Sequence, residues 1–537
     1  VTGKEGLQLA IGRPSKFKYT GVEVRIRRVY RNPFVYSLDD GQDHWTFARR
    51  SMNSHDPFYR ALLARDHRFD GKFFVAVKTT GIYCRPICPA RPKRENVLFF
   101  KTAQAAERAG YRPCLRCRPE SAPGSPAWNG KQTTVERALK LLAQGVLEQH
   151  SEEVLADRLG VSARHLRRLF EKELGQTPKQ LHDGSRLNFA RKLIVETPLP
   201  FTEIAFSTGF RSLRRFNDAV KKRFHRPPSA LRSSTKGVEA ASMIRLGLAY
   251  RPPFDWRSLL DYYRRHHVAG IEAIEGDAYS RVFTVDGMET TGYFRIRPDG
   301  RNPELALEIC LSDTRCLLRV VQRIRHMFDL DSDPAVIGKV FAQAGILSTF
   351  RRRHPGARLA RGFDPFETAI ATILGQVISV AHTARLMNQL AATYGEEVRH
   401  PVSGDRIRLF PKPHILAKSD LHAVAITGLK RAAIREFSAR VAGGMIRFDP
   451  AQDPDDFKRA VRMVKGIGAW SAEYMALRAL GDADAFPSAD LILNRFIKAH
   501  PRFNVETVRP WRSYAAVCLW NEQATAIREE EANHAAV

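Results

Sequence analysis

The stretch Lys465-Gly466-Ile467-Gly468-Ala469-Trp470-Ser471-Ala472-Glu473-Tyr474, continued by Phe486-Pro487-Ser488-Ala489-Asp490, decides how the C-terminal half of this chain is read. A Gly-x-Gly turn opens a helix, and a lone carboxylate follows twenty positions after Trp470. Glycine adopts φ > 0 without steric cost, so both Gly466 and Gly468 are expected to turn the chain tightly. Backbone N–H groups of the turn and the N-terminus of the next helix then point at an anion, here a DNA phosphate. Such a hairpin would grip the duplex while Asp490 faces the sugar of an extruded base. Each residue also has a plainer use when taken singly. Trp470, Tyr474 and Leu477 lie at helical spacing and could be core, and Asp490 could N-cap Leu491-Ile492-Leu493.

Three further segments join the hairpin in order: Tyr250-Arg251-Pro252-Pro253-Phe254-Asp255-Trp256, Asp364-Pro365-Phe366-Glu367 running into Ile373-Leu374-Gly375-Gln376-Val377-Ile378-Ser379-Val380, and Arg509-Pro510-Trp511-Arg512-Ser513-Tyr514-Ala515. Together they resemble the helix-hairpin-helix DNA glycosylases, and within them the AlkA-like 3-methyladenine DNA glycosylases II, over roughly the last 300 residues. The resemblance implies that Trp470, Tyr474 and Trp520 line a base pocket and that Val377, where the family usually has leucine, is the wedge that fills the hole in the duplex. In relatives that also cut the strand, a lysine stands two residues after the second hairpin glycine. Trp470 stands there instead, which implies a monofunctional enzyme. The chemistry agrees. An N3- or N7-alkylated purine is already cationic and leaves without a general acid, so one carboxylate against the growing oxocarbenium charge suffices where ordinary glycoside hydrolysis uses two. Aromatic faces select a cationic base by about 0.5–2 kcal/mol per contact.

With 537 residues the chain is too long for one core, and three or more domains are expected. The formal net charge is +29, with lysine and arginine spread throughout, which favours a nucleic-acid partner and salt-dependent duplex binding. No apolar run approaches the roughly 20 residues needed to span a bilayer, and the first residues lack a signal-peptide pattern. A cytoplasmic, nucleoid-associated protein without a membrane partner is expected.

Four of the seven cysteines fall within 34 residues: Cys84-Arg85-Pro86-Ile87-Cys88 and Cys114-Leu115-Arg116-Cys117. In a reducing compartment this double knuckle indicates one Zn2+ in a four-cysteine site rather than disulfides. Spacing alone leaves a purely structural zinc open. The flanking words Phe74-Val75-Ala76-Val77-Lys78-Thr79-Thr80-Gly81-Ile82-Tyr83, Arg94-Glu95-Asn96-Val97 and Gly110-Tyr111-Arg112-Pro113 resemble the metal-binding domain of the Ada methylphosphotriester sensors. The resemblance implies that Cys84 is both zinc ligand and methyl acceptor, with Cys88, Cys114 and Cys117 holding the metal. The O6-alkylguanine methyltransferase motif Pro-Cys-His-Arg of full Ada proteins is absent.

Between these regions, Leu155-Ala156-Asp157-Arg158-Leu159-Gly160-Val161-Ser162 leads into the basic helix Arg164-His165-Leu166-Arg167-Arg168-Leu169-Phe170. The pattern recurs at Ile204-Ala205-Phe206-Ser207-Thr208-Gly209-Phe210-Arg211-Ser212 and Leu213-Arg214-Arg215-Phe216. Two helix-turn-helix units are predicted, and they resemble the AraC/XylS DNA-binding domain. Arg164, Arg167, Arg168, Arg211, Arg214 and Arg215 are the exposed candidates for DNA contact.

The expected fold is therefore multidomain and mainly α with α+β parts. Its predicted order is a basic extension (1–54), a small zinc-binding α+β domain (55–120), a linker (121–131), an all-α double helix-turn-helix domain (132–230), a second linker (231–242), an α+β lobe (243–330), an all-α helix-hairpin-helix core (331–525) and a tail (526–537). The resemblances imply a methylation-activated regulator fused to an alkyl-base glycosylase. Its partner would be double-stranded DNA, alkylated and promoter, with RNA polymerase a candidate second partner and a monomer the expected state. The competing reading is a methylation-responsive transcription factor whose C-terminal region only binds DNA.

Overall fold

The structure, a computed structural model, describes residues 57–535 apart from 67–68, 71, 101, 115–116, 118, 120–133, 144, 233–242, 286–289, 450–451 and 502. The basic extension, the first linker and nearly all of the second lie outside the described residues.

The first domain is a four-stranded sheet in the order Val97–Phe100, Phe74–Val77, Ile82–Cys84, Arg112–Pro113, with the last strand parallel to its neighbour. Strand Phe74–Val77 is buried on both faces, against Phe58 and Phe99 on one side and Tyr83 and Phe100 on the other. This sheet brings Cys84 beside the segment that carries Cys114. Next come seven helices among the described residues between Thr134 and Phe224. Ser162 and Ser212 each cap a helix by accepting an N–H three residues on, so the two basic helices Ala163–Leu174 and Leu213–Phe224 begin alike. Helix Pro178–Glu196 joins the two units, opened by a Thr177–Gln180 capping box.

A five-stranded antiparallel sheet follows, in the order Ile244–Ala249, Glu304–Leu311, Thr290–Pro298, Ala278–Val285, Glu272–Glu275. Its core is continuous with the second helix-turn-helix unit through Phe189, Leu193 and Ile194. The Lys192 ammonium donates to the Gly247 carbonyl at 2.6 Å, and Glu196 accepts the Gly247 N–H at 3.1 Å. Among the described residues from Pro334 onward the regular elements are helices, apart from the short hairpin Glu397–Arg399 with Arg406–Arg408. The last helix runs from Arg512 to Ala535. No helix of the described residues is long and apolar enough to cross a membrane.

Buried ion pairs lock the lobe to the helical core. Arg281 on the sheet meets Glu272 at 2.7 Å and Glu367 at 2.5 Å, with all three side chains nearly inaccessible. Glu367 is held because Asp364 caps its helix and Pro365 begins it. Glu367→Ala leaves a buried guanidinium short of a partner, and a loss of about 3–5 kcal/mol is expected in denaturant unfolding. Asp329 in turn accepts from the Tyr514 hydroxyl at 2.7 Å and pairs with Arg361 at 3.2 Å, which anchors the start of the helix that carries Trp520.

Candidate active site and zinc centre

Helices Pro454–Arg462 and Ala469–Met475 enclose the turn at Gly466. Gly466 takes φ +95°, as expected, but Gly468 does not: its φ is −86° and its backbone is extended. The expectation of two left-handed glycines is corrected to one. Gly468 stands before the helix, with open space where a Cβ would lie.

The segment Phe486–Asp490 returns to this helix because Ser513 and Arg512 tie it back. The Ser513 hydroxyl bonds the Asp482 and Ala485 carbonyls at 2.7 Å, and the Arg512 guanidinium meets Asp484 at 3.0 Å. Asp490 N-caps helix Leu491–Ala499, its Oδ1 accepting the N–H groups of Ile492 at 3.1 Å and Leu493 at 3.2 Å. The same carboxylate receives two indole N–H groups, from Trp520 on Oδ1 at 3.0 Å and from Trp470 on Oδ2 at 3.4 Å. The cap fixes the position of the carboxylate and the indoles fix its orientation.

Trp470 stacks on Tyr474 (centroids 5.2 Å apart, 20°), and Tyr474 meets Trp520 at 5.9 Å. All three rings and Asp490 are half-buried, while Leu477 is fully buried and Trp520 packs against the helical core. Three residues that sequence reasoning missed pack around these rings. Arg478 is buried with its guanidinium 4.4 Å from the Tyr262 ring, 5.1 Å from Trp520 and 5.6 Å from Tyr474. Tyr262 stacks on His266 at 4.1 Å. Burial pushes His266 down to about 4, and its Nδ1–H bonds the Tyr262 carbonyl at 2.7 Å, so the ring is neutral at pH 7. Tyr262 and His266 sit on a helix more than 200 residues away in sequence, and only the pairing of lobe and core brings them here. Leu491, beside Asp490, is 63 % exposed.

Val377 lies between helices Pro365–Leu374 and Val380–Tyr394, fully exposed and at φ +63°. Of the six arginines expected to contact DNA, all are exposed. Arg167 is however engaged by Glu152 at 2.6 Å on its own domain.

Cys84, Cys88, Cys114 and Cys117 place their sulfurs within 4.8 Å of one another. Four thiols this close cannot all ionise unaided. A hydrogen bond from Cys117 holds Cys114 well below the ordinary thiol value, while contact with Cys114 pushes Cys84 above it. The donor set, its spacing and its crowding fit one tetrahedral zinc ion ligated by all four sulfurs. Cys84 is 5 % exposed, and Cys117 is the most accessible of the four. Arg85 carries no sequence signal for its place here: its N–H points at the Cys117 sulfur at 3.3 Å, and its buried guanidinium pairs with Asp70.

The comparisons with known proteins agree with this layout. The models for the metal binding domain of Ada, a helix-turn-helix domain and the AlkA N-terminal domain match residues 57–120, 155–234 and 245–364. The chain is 31% identical over 284 residues to "DNA-3-methyladenine glycosylase 2" of Escherichia coli, covering 51% of this chain and 95% of that protein. It is 40% identical over 159 residues to "Bifunctional transcriptional activator/DNA repair enzyme Ada" of the same organism, covering 29% of this chain and 42% of that one. Identity to "Probable bifunctional transcriptional activator/DNA repair enzyme AlkA" of Mycobacterium tuberculosis is 35% over 483 residues, 87% of this chain and 96% of the relative. With a zinc-type cysteine cluster, paired helix-turn-helix units and an AlkA-type glycosylase region in that order, the chain belongs to the family of bifunctional transcriptional activator/DNA repair enzymes of the AlkA type.

Proposed function

We propose that Asp490 drives hydrolysis of the N-glycosidic bond of alkylated purines of the 3-methyladenine and 7-methylguanine type. The observation that carries the reading is the carboxylate oriented by two indole N–H groups beside the Trp470, Tyr474 and Trp520 rings. As the bond breaks, the base leaves with the electron pair and becomes neutral. Positive charge grows on the sugar, Asp490 stabilises it, and water adds to the anomeric carbon with loss of its proton. Trp470, Tyr474 and Trp520 favour the cationic base before it leaves. Val377 takes the place of the extruded nucleotide, and the turn at Gly466 and Gly468 holds the backbone, the missing Cβ of Gly468 allowing close approach. With Trp470 where a strand-cutting lysine would stand, release of the base ends the reaction.

In the sensor, the Cys84 sulfur attacks the methyl carbon of a methylphosphotriester. The C–O bond breaks, the phosphodiester leaves as an anion, and a thioether forms. A zinc ion held by Cys84, Cys88, Cys114 and Cys117 supplies the positive charge that keeps these sulfurs deprotonated. Losing one thiolate charge strengthens attraction to DNA and so favours promoter binding by Arg164, Arg168, Arg211, Arg214 and Arg215, with Arg167 contributing once released from Glu152. A nucleoid-associated monomer that contacts RNA polymerase completes this reading.

The test is release of 3-methyladenine and 7-methylguanine from methylated duplex DNA by the purified chain. Trp520→Phe keeps an aromatic wall but removes one donor to Asp490, and a rate about tenfold lower is expected, the size of one charge-assisted hydrogen bond. An unchanged rate would remove the indole from the account.

A further inference from the structure

Five non-glycine residues among those described have positive φ, and Val377 is the only β-branched one. A left-handed β-branched residue carries about 1–3 kcal/mol of strain and persists only where its surroundings impose it. Val377 is fully exposed, so its own side chain packs against nothing that would offset the strain. The constraint comes from the residue before it. Lys430, at the start of helix Gly428–Ala442, donates its ammonium to the Leu374 carbonyl at 2.6 Å and to the Gln376 carbonyl at 2.9 Å. These carbonyls close the C-terminal end of helix Pro365–Leu374, where unpaired acceptors and the negative end of the helix dipole favour a cation. The Gln376 side-chain amide in turn donates to the Gly466 carbonyl at 3.0 Å and to the Ser471 hydroxyl at 2.8 Å. The Gln376–Val377 peptide is thus held by Lys430 through its carbonyl and by the hairpin through the glutamine side chain.

We propose that Lys430 and Gln376 are positioning residues for base extrusion: a brace that keeps Val377 projecting in its left-handed conformation and in register with the Gly466 turn. Resting on the reading of Val377 as the wedge, this assigns the pair no part in the bond-breaking step. Neither hydrogen-bonds Asp490; the brace sets how far the wedge stands from the phosphate that the hairpin grips. Because the two contacts converge on one peptide, loss of either lets Val377 relax toward an unstrained conformation and withdraw from the duplex.

The experiment measures single-turnover release of 7-methylguanine at saturating protein, so that weakened DNA binding does not enter. The lesion is placed either in a matched duplex or in a bulge where the base is already unstacked. Lys430→Met and Gln376→Ala are each expected to slow the duplex reaction by about tenfold or more, within the range set by the strain at Val377. Both should leave the bulge reaction close to wild type, and Lys430→Arg should restore most of the duplex rate. Val377→Gly serves as the reference and should show the same selective loss. An unaffected Val377→Gly would overturn the wedge reading and the brace with it. Selective loss in Val377→Gly with normal Lys430→Met and Gln376→Ala would overturn the brace alone. Equal slowing on duplex and bulge would assign the two residues to general stability of the domain and also overturn it.

Discussion

Replacing Asp490 with asparagine is expected to slow single-turnover release of alkylated bases by about 10²–10³-fold, the usual effect of removing one preorganised electrostatic group. The variant is informative because Asp490 caps a helix as well as standing at the proposed active site. Its Oδ1 caps helix Leu491–Ala499 through the N–H groups of Ile492 and Leu493. Asparagine is as good an N-cap as aspartate, whereas alanine would lose about 1 kcal/mol of helix stability. Asp490→Asn therefore keeps the scaffold and removes the charge. Duplex affinity should stay near that of wild type, since the hairpin and Val377 are untouched. Parallel loss of affinity and release, in a binding titration beside the kinetics, would mean that the substitution had disturbed the site as a whole.

The second large effect is expected at Cys84. Cys84→Ser should abolish methyl uptake from methylphosphotriester DNA, read as the absence of an increment of about 14 Da in the intact mass of the protein. Cys88→Ala bears on the same cluster differently: it breaks the four-sulfur set without touching Cys84, the proposed acceptor. Structural zinc sites contribute about 10–16 kcal/mol in small finger peptides, so a chelator or Cys88→Ala should unfold much of the 57–120 region. The buried Arg85–Asp70 pair beside the cluster would be exposed in the same event. Uptake that persists in Cys84→Ser would move the acceptor to another cysteine, with the more accessible Cys117 first in line.

Much of this is legible in the sequence because the informative words are local. Asp364-Pro365-Phe366-Glu367, part of the glycosylase resemblance, caps and starts a helix in the structure and puts its last carboxylate in a buried ion pair with Arg281. Arg509 to Ser513 lash the approach to Asp490 through Asp484 and the Asp482 and Ala485 carbonyls. Ser162 and Ser212 mark helix starts as expected. The residues that sequence reasoning misses depend on partners far away in the chain. Nothing in the helix Trp256–His266 announces that Tyr262 and His266 will meet Arg478, because periodicity tells which face is buried and not what lies across from it. Gly468 departs from expectation for a different reason. A glycine can be required by close approach as well as by φ, and the sequence does not separate the two. Arg167 reads as a free cation because Glu152 lies fifteen residues earlier, on the helix before the turn.

The central claim is that one chain carries two separable reactions on methylated DNA, centred on Cys84 and Asp490. It is tested most directly with duplex DNA alkylated by a radiolabelled methyl donor, following label into free base and into protein within the same sample. Wild type is predicted to yield both, Asp490→Asn only labelled protein, and Cys84→Ser only free base. No free base from wild type would contradict the account and leave the helix-hairpin-helix region as a DNA clamp on a regulator.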